Sequence, residues 1–126
     1  LSPEWDFAMA KEIKAYIQRW QVNNVVKALQ KAEVPGISIV EIHPVGCGYE
    51  PNYFDPAYES EDILKRYSYL SVVKLEVVCR DEDVNNFVQA IRDAACTKSR
   101  GDGRIFVSDV VRAVRIRDGV EGDQAL

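Results

Sequence analysis

The chain has 126 residues, of which 47% are hydrophobic, enough for one domain with a core of ordinary size. Lys+Arg 16 against Asp+Glu 20 leaves a net charge of −4, which lacks the basic excess of a nucleic-acid binder, so that class is set aside. Charges interrupt every apolar run well before the roughly 20 residues of a membrane span, so no segment reads as membrane-inserted. Cys47, Cys79 and Cys96 are an odd set at wide spacings that forms neither a disulfide framework nor a paired zinc motif, pointing to a reducing, cytoplasmic setting. Residues 1–8 do not follow a signal-peptide pattern and Met9-Ala-Lys reads as a natural start. Residues 1–8 are therefore expected to be a foreign remnant or a disordered extension, and 9–126 the domain.

Ile13, Ala15 and Ile17 alternate with Lys14, Tyr16 and Gln18, the period of a strand with one buried face. Asn23 is positioned to cap a helix whose Val25, Ala28, Leu29 and Ala32 recur at helical spacing, with Pro35-Gly36 as its stop. A second strand is expected over 37–42. The pattern then repeats. Leu70 to Val78 alternates as a strand, Asp81 or Asp83 is placed to cap a helix, and Val84, Phe87, Val88, Ile91, Ala94 and Ala95 form its apolar stripe. Ile105-Phe106-Val107 opens the return strand, which is expected to continue extended from Val110 to Ile116. Two tandem βαβ units predict an α+β, ferredoxin-like double βαβ sandwich with both helices on one face of the sheet.

Between the units, His43 to Ser68 carries Gly46, Gly48, Pro51 and Pro56 and no sustained period. Connections longer than about 12–15 residues are uncommon in compact domains and are usually functional or disordered. The segment is read as the one most suited to touch a partner, a flexible insertion being the alternative. Glu50, Asp55, Glu59, Glu61 and Asp62 make it locally acidic, which suits a basic partner surface or plain solvation.

The run Gly101-Asp102-Gly103-Arg104-Ile105-Phe106-Val107, followed by Val114-Arg115-Ile116-Arg117-Asp118-Gly119, resembles the C-terminal signature of the PII signal-transduction family in residue type and spacing. Residues 13–45, with the Pro35-Gly36 turn, and 69–78 are similar to the family's first unit and to the strand that leaves its long T-loop, here about 44–68. The resemblance implies a homotrimer that binds ATP or ADP between subunits and regulates a membrane transporter or a metabolic enzyme, without catalysis of its own. On this likeness Gly101, Asp102, Gly103, Arg104, Arg115 and Arg117 match phosphate-binding positions. Gly36, Ile37, Ser38, Gly46, Glu76 and Val78 fall where the family contacts ribose or adenine, and Cys47 stands where it commonly has a phosphate-side arginine. The chemistry suits the roles: glycines let backbone N–H groups approach an anion, and guanidinium forks pair with phosphate. Arg115 and Arg117, two apart, are expected on one face of a strand. Apart from the likeness, a glycine turn and a solvated arginine pair explain the same residues.

Departures from the family refine the expectation. Gly48 stands at the position of the glutamine that ligates magnesium and Val72 at that of the lysine that pairs with 2-oxoglutarate, so 2-oxoglutarate sensing of the usual kind is not expected. A divergent member with an altered T-loop, answering ATP, ADP or AMP and with room for a small anion such as bicarbonate, is the favoured form. None of the loop tyrosines sits in the family's modification context. The rival is a trimeric metal-binding protein of the copper-tolerance type, which shares the fold but needs more ligands than the lone His43 and Cys47 provide. Cys47 between two glycines also reads as an exposed redox-sensitive thiol. Trp20 and Phe106 are read as packing groups, and Cys79 and Cys96 as core fillers.

Overall fold

The computed structural model describes residues 10–42 and 72–126. The extension 1–8 and the loop 44–68, with Gly46, Cys47 and Gly48, lie outside the described residues. Strand β1 (Ala10–Gln18) leads through a 3-10 turn (Arg19–Gln21) into helix α1 (Val22–Lys31), and strand β2 (Ser38–Glu41) follows. After the long segment come β3 (Val72–Arg80), a 3-10 turn (Asp81–Asp83), helix α2 (Val84–Ala95) and β4 (Gly103–Val110), with a last 3-10 turn at Gly122–Ala125. The four strands form one sheet in the order β2-β3-β1-β4, and every neighbouring pair is antiparallel. That order is the ferredoxin-like α+β topology, with β1 central because it is the first strand of the first unit and receives both strands of the second.

Alternation along β1 buries Ile13, Ala15 and Ile17 and leaves Lys14 and Tyr16 on the other face. Val73, Leu75, Val77 and Cys79 of β3 extend the same buried surface, and Val25 and Leu29 of α1 with Phe87, Ile91 and Ala95 of α2 close over it. Burying a large apolar side chain is worth about 1.5–3 kcal/mol, so this cluster dominates the stability. Gln21, the buried polar side chain among the described residues, donates from Nε2 to the Ala95 carbonyl (3.4 Å) and accepts from Asn24 (2.9 Å), tying the start of α1 to the end of α2.

Several boundaries differ from expectation. Asn23 lies inside α1 and Gln21 is the N-cap, because the 3-10 turn starts the coil two residues earlier. The helix stops before Pro35-Gly36: Glu33 takes a left-handed conformation (φ 65), its N–H reaches Gln30 O and Val34 N–H reaches Leu29 O, both at 3.0 Å. Asp83 is the N-cap of α2 but makes no side-chain cap bond, and Asp81 lies in the preceding turn. β2 is shorter at both ends than 37–42, β3 starts at Val72 within the described residues and runs on to Arg80, and β4 begins two residues before Ile105 and ends at Val110. Beyond it Val114 forms only a bridge to Glu121, so the extended run through Ile116 is not a strand. Trp20 (65% exposed) and Cys96 are exposed, against the expectation of packing; Phe106 is half-exposed but packs edge-on against the Tyr16 ring, with centroids 5.8 Å apart, and Cys79 is in the core as expected.

Candidate functional site

Two open clefts collect most of the residues singled out from the sequence. The first, about 710 Å³, brings together Gly36, Ile37 and Ser38 before and in β2 with Glu76 and Val78 of β3. The ladder explains the meeting: Ser38 is the partner of Glu76, and Val78 is the partner of Glu12. Glu12, Arg112, Ala125 and Leu126 are also among its lining residues. Glu76 lies 3.5 Å from Lys74 along β3, and Glu12 lies 3.2 Å from Lys14 along β1, so both carboxylates are half-buried beside a lysine. Glu12 raises the Lys14 ammonium above its ordinary value through a hydrogen bond and its charge.

The second cleft, about 380 Å³, lies between α2 and the start of β4 and includes Asp102, Gly103 and Arg104. The turn before β4 is pinned from two sides. Gln18 donates from Nε2 to the Gly101 carbonyl at 2.6 Å. The Asp102 carboxylate accepts from Thr97 N–H (2.6 Å), from the Thr97 hydroxyl and from Ser99 N–H (3.2 Å). Those donors, the Thr97 hydroxyl foremost, hold the Asp102 carboxyl below its ordinary value of 3.8. Asp102 thus serves the turn, and what the turn presents outward is backbone and Arg104. Gly103 has φ +119, and a Cβ there would stand 1.8 Å from the Tyr16 carbonyl oxygen, so only glycine lets β4 approach β1 at this point. Gly101 is not among the positive-φ glycines. The Arg104 guanidinium is exposed and makes no hydrogen bond or ion pair to a described residue, which leaves its fork available to an anion.

Arg115 and Arg117 do not share a strand face. They sit on a hairpin closed by Arg115 N–H to Val120 O and Gly119 N–H to Arg115 O, both 2.8 Å. The chain after β4 leaves the sheet, so the alternation of a strand no longer applies. Arg115 grips Asp118 with two bonds, Nε at 3.0 Å and Nη2 at 2.7 Å, and holds that carboxyl below its ordinary value. Arg117 stays largely solvated, 3.8 Å from Asp118. Neither lines the described part of the two clefts.

Sequence reasoning missed Glu12, Arg112 and Gln18. The alternation of β1 could have placed Glu12 on the face of Glu76, and Arg112 precedes the arginine pair in one basic series. Nothing local marks Gln18, whose partner is 83 positions away. Among the described residues no group of three His, Cys, Asp or Glu side chains is placed to hold a metal, and no helix is long and apolar enough to cross a membrane.

Residues 10–120 match the family model described as nitrogen regulatory protein P-II. The nitrogen regulatory protein P-II of Cereibacter sphaeroides is 38% identical over 118 residues, and that of Rhodobacter capsulatus 35% over 116, each alignment covering 92% of this chain and 99% of the relative. Among solved structures, Arabidopsis thaliana PII bound to citrate superposes with a TM-score of 0.71 at 24% identity, over 94% of this chain and 92% of that one, a likeness of fold.

Proposed function

Because the chain belongs to the P-II family of nitrogen regulatory proteins, we propose that it is a cytoplasmic regulator without catalysis of its own, sensing ATP, ADP or AMP in clefts between the subunits of a homotrimer. The observation that carries this reading is the separation of the two half-sites. Gly36–Ser38, Glu76 and Val78 line a cleft that reaches the Val110 end of β4, whereas Gly103 and Arg104 stand at its other end. Seven residue steps of strand separate Gly103 from Val110, about 23 Å at roughly 3.3 Å per residue. A second copy must bring one half against the other for a single nucleotide to touch both. Uncovered apolar side chains on β4 and beyond it, among them Phe106, Val107, Val111 and the 99% exposed Ile116, suit such an interface.

In this reading the phosphates lie against the Gly101–Arg104 turn of one subunit and Arg115 and Arg117 of another, while the base and ribose lie near Gly36–Ser38 and Glu76. The nucleotides act by differential affinity for two states of the loop 44–68, which grips or releases a transporter or a metabolic enzyme. Val72, buried at the start of β3, has no group to pair with a carboxylate, in keeping with a sensor that does not use 2-oxoglutarate in the family's usual way and that leaves room for a small anion such as bicarbonate. Calorimetric titration with ATP, ADP and AMP, beside a solution mass, tests the reading. Arg104→Ala and Arg117→Ala should each weaken binding by about 1.5–3 kcal/mol, the scale of a hydrogen bond to a charged group. A monomeric mass, or unchanged affinity in both variants, overturns it.

A further inference from the structure

The turn before β4 takes its shape and its place from different residues. Asp102 fixes the shape, since its carboxylate accepts from Thr97 N–H and Ser99 N–H while its own N–H reaches Ser99 O at 3.2 Å. None of those bonds reaches the sheet. At Gly103 the contact with the Tyr16 carbonyl only limits how near the turn can come. The side-chain tie between turn and sheet is the part-buried Gln18 amide, which donates to the Gly101 carbonyl at 2.6 Å. Gln18 also stands where the two ladders of β1 end unequally: the pairing with β4 stops at Ile17 and Gly103, whereas that with β3 runs on to Gln18 and Val72. On one side Gln18 is therefore held through its backbone to Val72, the first described rung of β3, and on the other its side chain stands in for the missing rung. Gln21, in the 3-10 turn that follows, donates to the Ala95 carbonyl at 3.4 Å, so the same stretch holds the far end of the α2–β4 connection as well.

We propose that Gln18 is a positioning residue that links the Gly101–Arg104 turn to the β3 rung at Val72, so that a shift of that rung moves the turn. Backbone and side chain of one residue move together: a displacement at Val72 carries the Gln18 backbone with it, and the amide passes it to the Gly101 carbonyl. The tie needs a donor at this reach, which neither an alkyl chain nor a carboxylate supplies. If phosphates lie against this turn as proposed above, their affinity depends on Gln18 although it touches no part of the nucleotide. That consequence rests on the nucleotide reading; the link itself does not.

The experiment follows hydrogen exchange by mass in the full chain without nucleotide, at the Thr97, Ser99 and Asp102 amides, which are bonded inside the connection. Gln18→Met, which keeps the length and removes the donor, should speed their exchange about tenfold, the scale of one lost hydrogen bond. Gln18→Lys, which again offers an N–H to the carbonyl, should return it towards the wild-type rate. Val72→Ala should speed the same amides in the wild-type background and add nothing in Gln18→Met, a non-additivity that a general loss of stability does not produce. Unchanged exchange in Gln18→Met, no recovery in Gln18→Lys, or equal effects of Val72→Ala in the two backgrounds overturns the proposal. Calorimetric titration reports separately on the nucleotide reading, under which Gln18→Met should weaken ADP binding about tenfold. ADP binding that is unchanged in Gln18→Met or absent from the wild type, with the exchange pattern as expected, supports the link and counts against the nucleotide reading alone.

Discussion

Asp102-Gly103 and Asp118-Gly119 are the same dipeptide in two turns, and the molecule treats them differently. At the first, the aspartate collects Thr97 and Ser99 donors and the glycine presses its bare Cα side onto the Tyr16 carbonyl. At the second, Asp118 accepts from Val120 N–H at 3.1 Å and from the partly buried Arg115, and a Cβ on Gly119 (φ +72) would meet nothing within 4 Å. One turn is wedged against the sheet; the other stands in solvent. A fixed turn is suited to present backbone donors to an anion in an unchanging geometry. The hairpin's Arg115 and Arg117, set against the one exposed carboxylate of Asp118, exchange partners at small cost.

Substitutions at these positions sharpen the contrast. Gly103→Ala should be the most damaging, costing about 3 kcal/mol or more in chemical denaturation, since backbone of β1 or β4 must move to admit the methyl group. A loss under about 1 kcal/mol would show that the wedge is not there. Asp102→Asn should cost about 1 kcal/mol at pH 7 once solvent screening is allowed for. The sign of its pH dependence follows from a folded-state value below 3.8. The native carboxylate's contribution is complete above that value and is lost as pH falls through the lower, folded one. The gap between wild type and variant should therefore close in acid, and a constant gap from pH 7 to pH 3 would contradict the assigned role.

Gly119→Ala should cost about 1 kcal/mol, the penalty of a left-handed residue with no steric clash added, and Gly119→Asn less. A cost equal to that of Gly103→Ala would erase the distinction between the turns. Smallest and opposite in sign, Lys98→Gly should stabilise by about 0.5 kcal/mol, because Lys98 already holds φ 63 in the pinned turn. Thermal melts resolve this change, and a lowered melting temperature would mean that the lysine side chain itself supports the turn.

The alternation of Ile13, Ala15 and Ile17 and the stripe of Phe87, Val88 and Ile91 made the double βαβ fold legible, since burial of one face imposes its period on the sequence. The Gly101–Arg104 run stood out as a candidate anion site only through its resemblance to the family signature, since a plain glycine turn explains the same residues. Boundaries were less legible. Glu33, which ends α1 in a left-handed conformation, carries no glycine to announce it, and the 3-10 turns that start both helices compete with capping by Asn23 and Asp81 through geometry that local propensity does not contain. The expected extension of the strand from Val110 to Ile116 failed because a β-rich run becomes a strand only where a partner strand pairs with it, and after Val110 none of the described strands does.

By itself the sequence determined the fold class and the helix-facing core, because both follow from the periodicity of apolar residues. Only the tertiary structure decided that the cleft of Ser38 and Glu76 and the cleft of Gly103 and Arg104 lie apart in one chain, that Gln18 pins Gly101, and that Arg115 and Arg117 ride on a hairpin beyond β4. Those placements depend on strand order and on contacts between residues far apart in the chain, and no local pattern encodes such a distance.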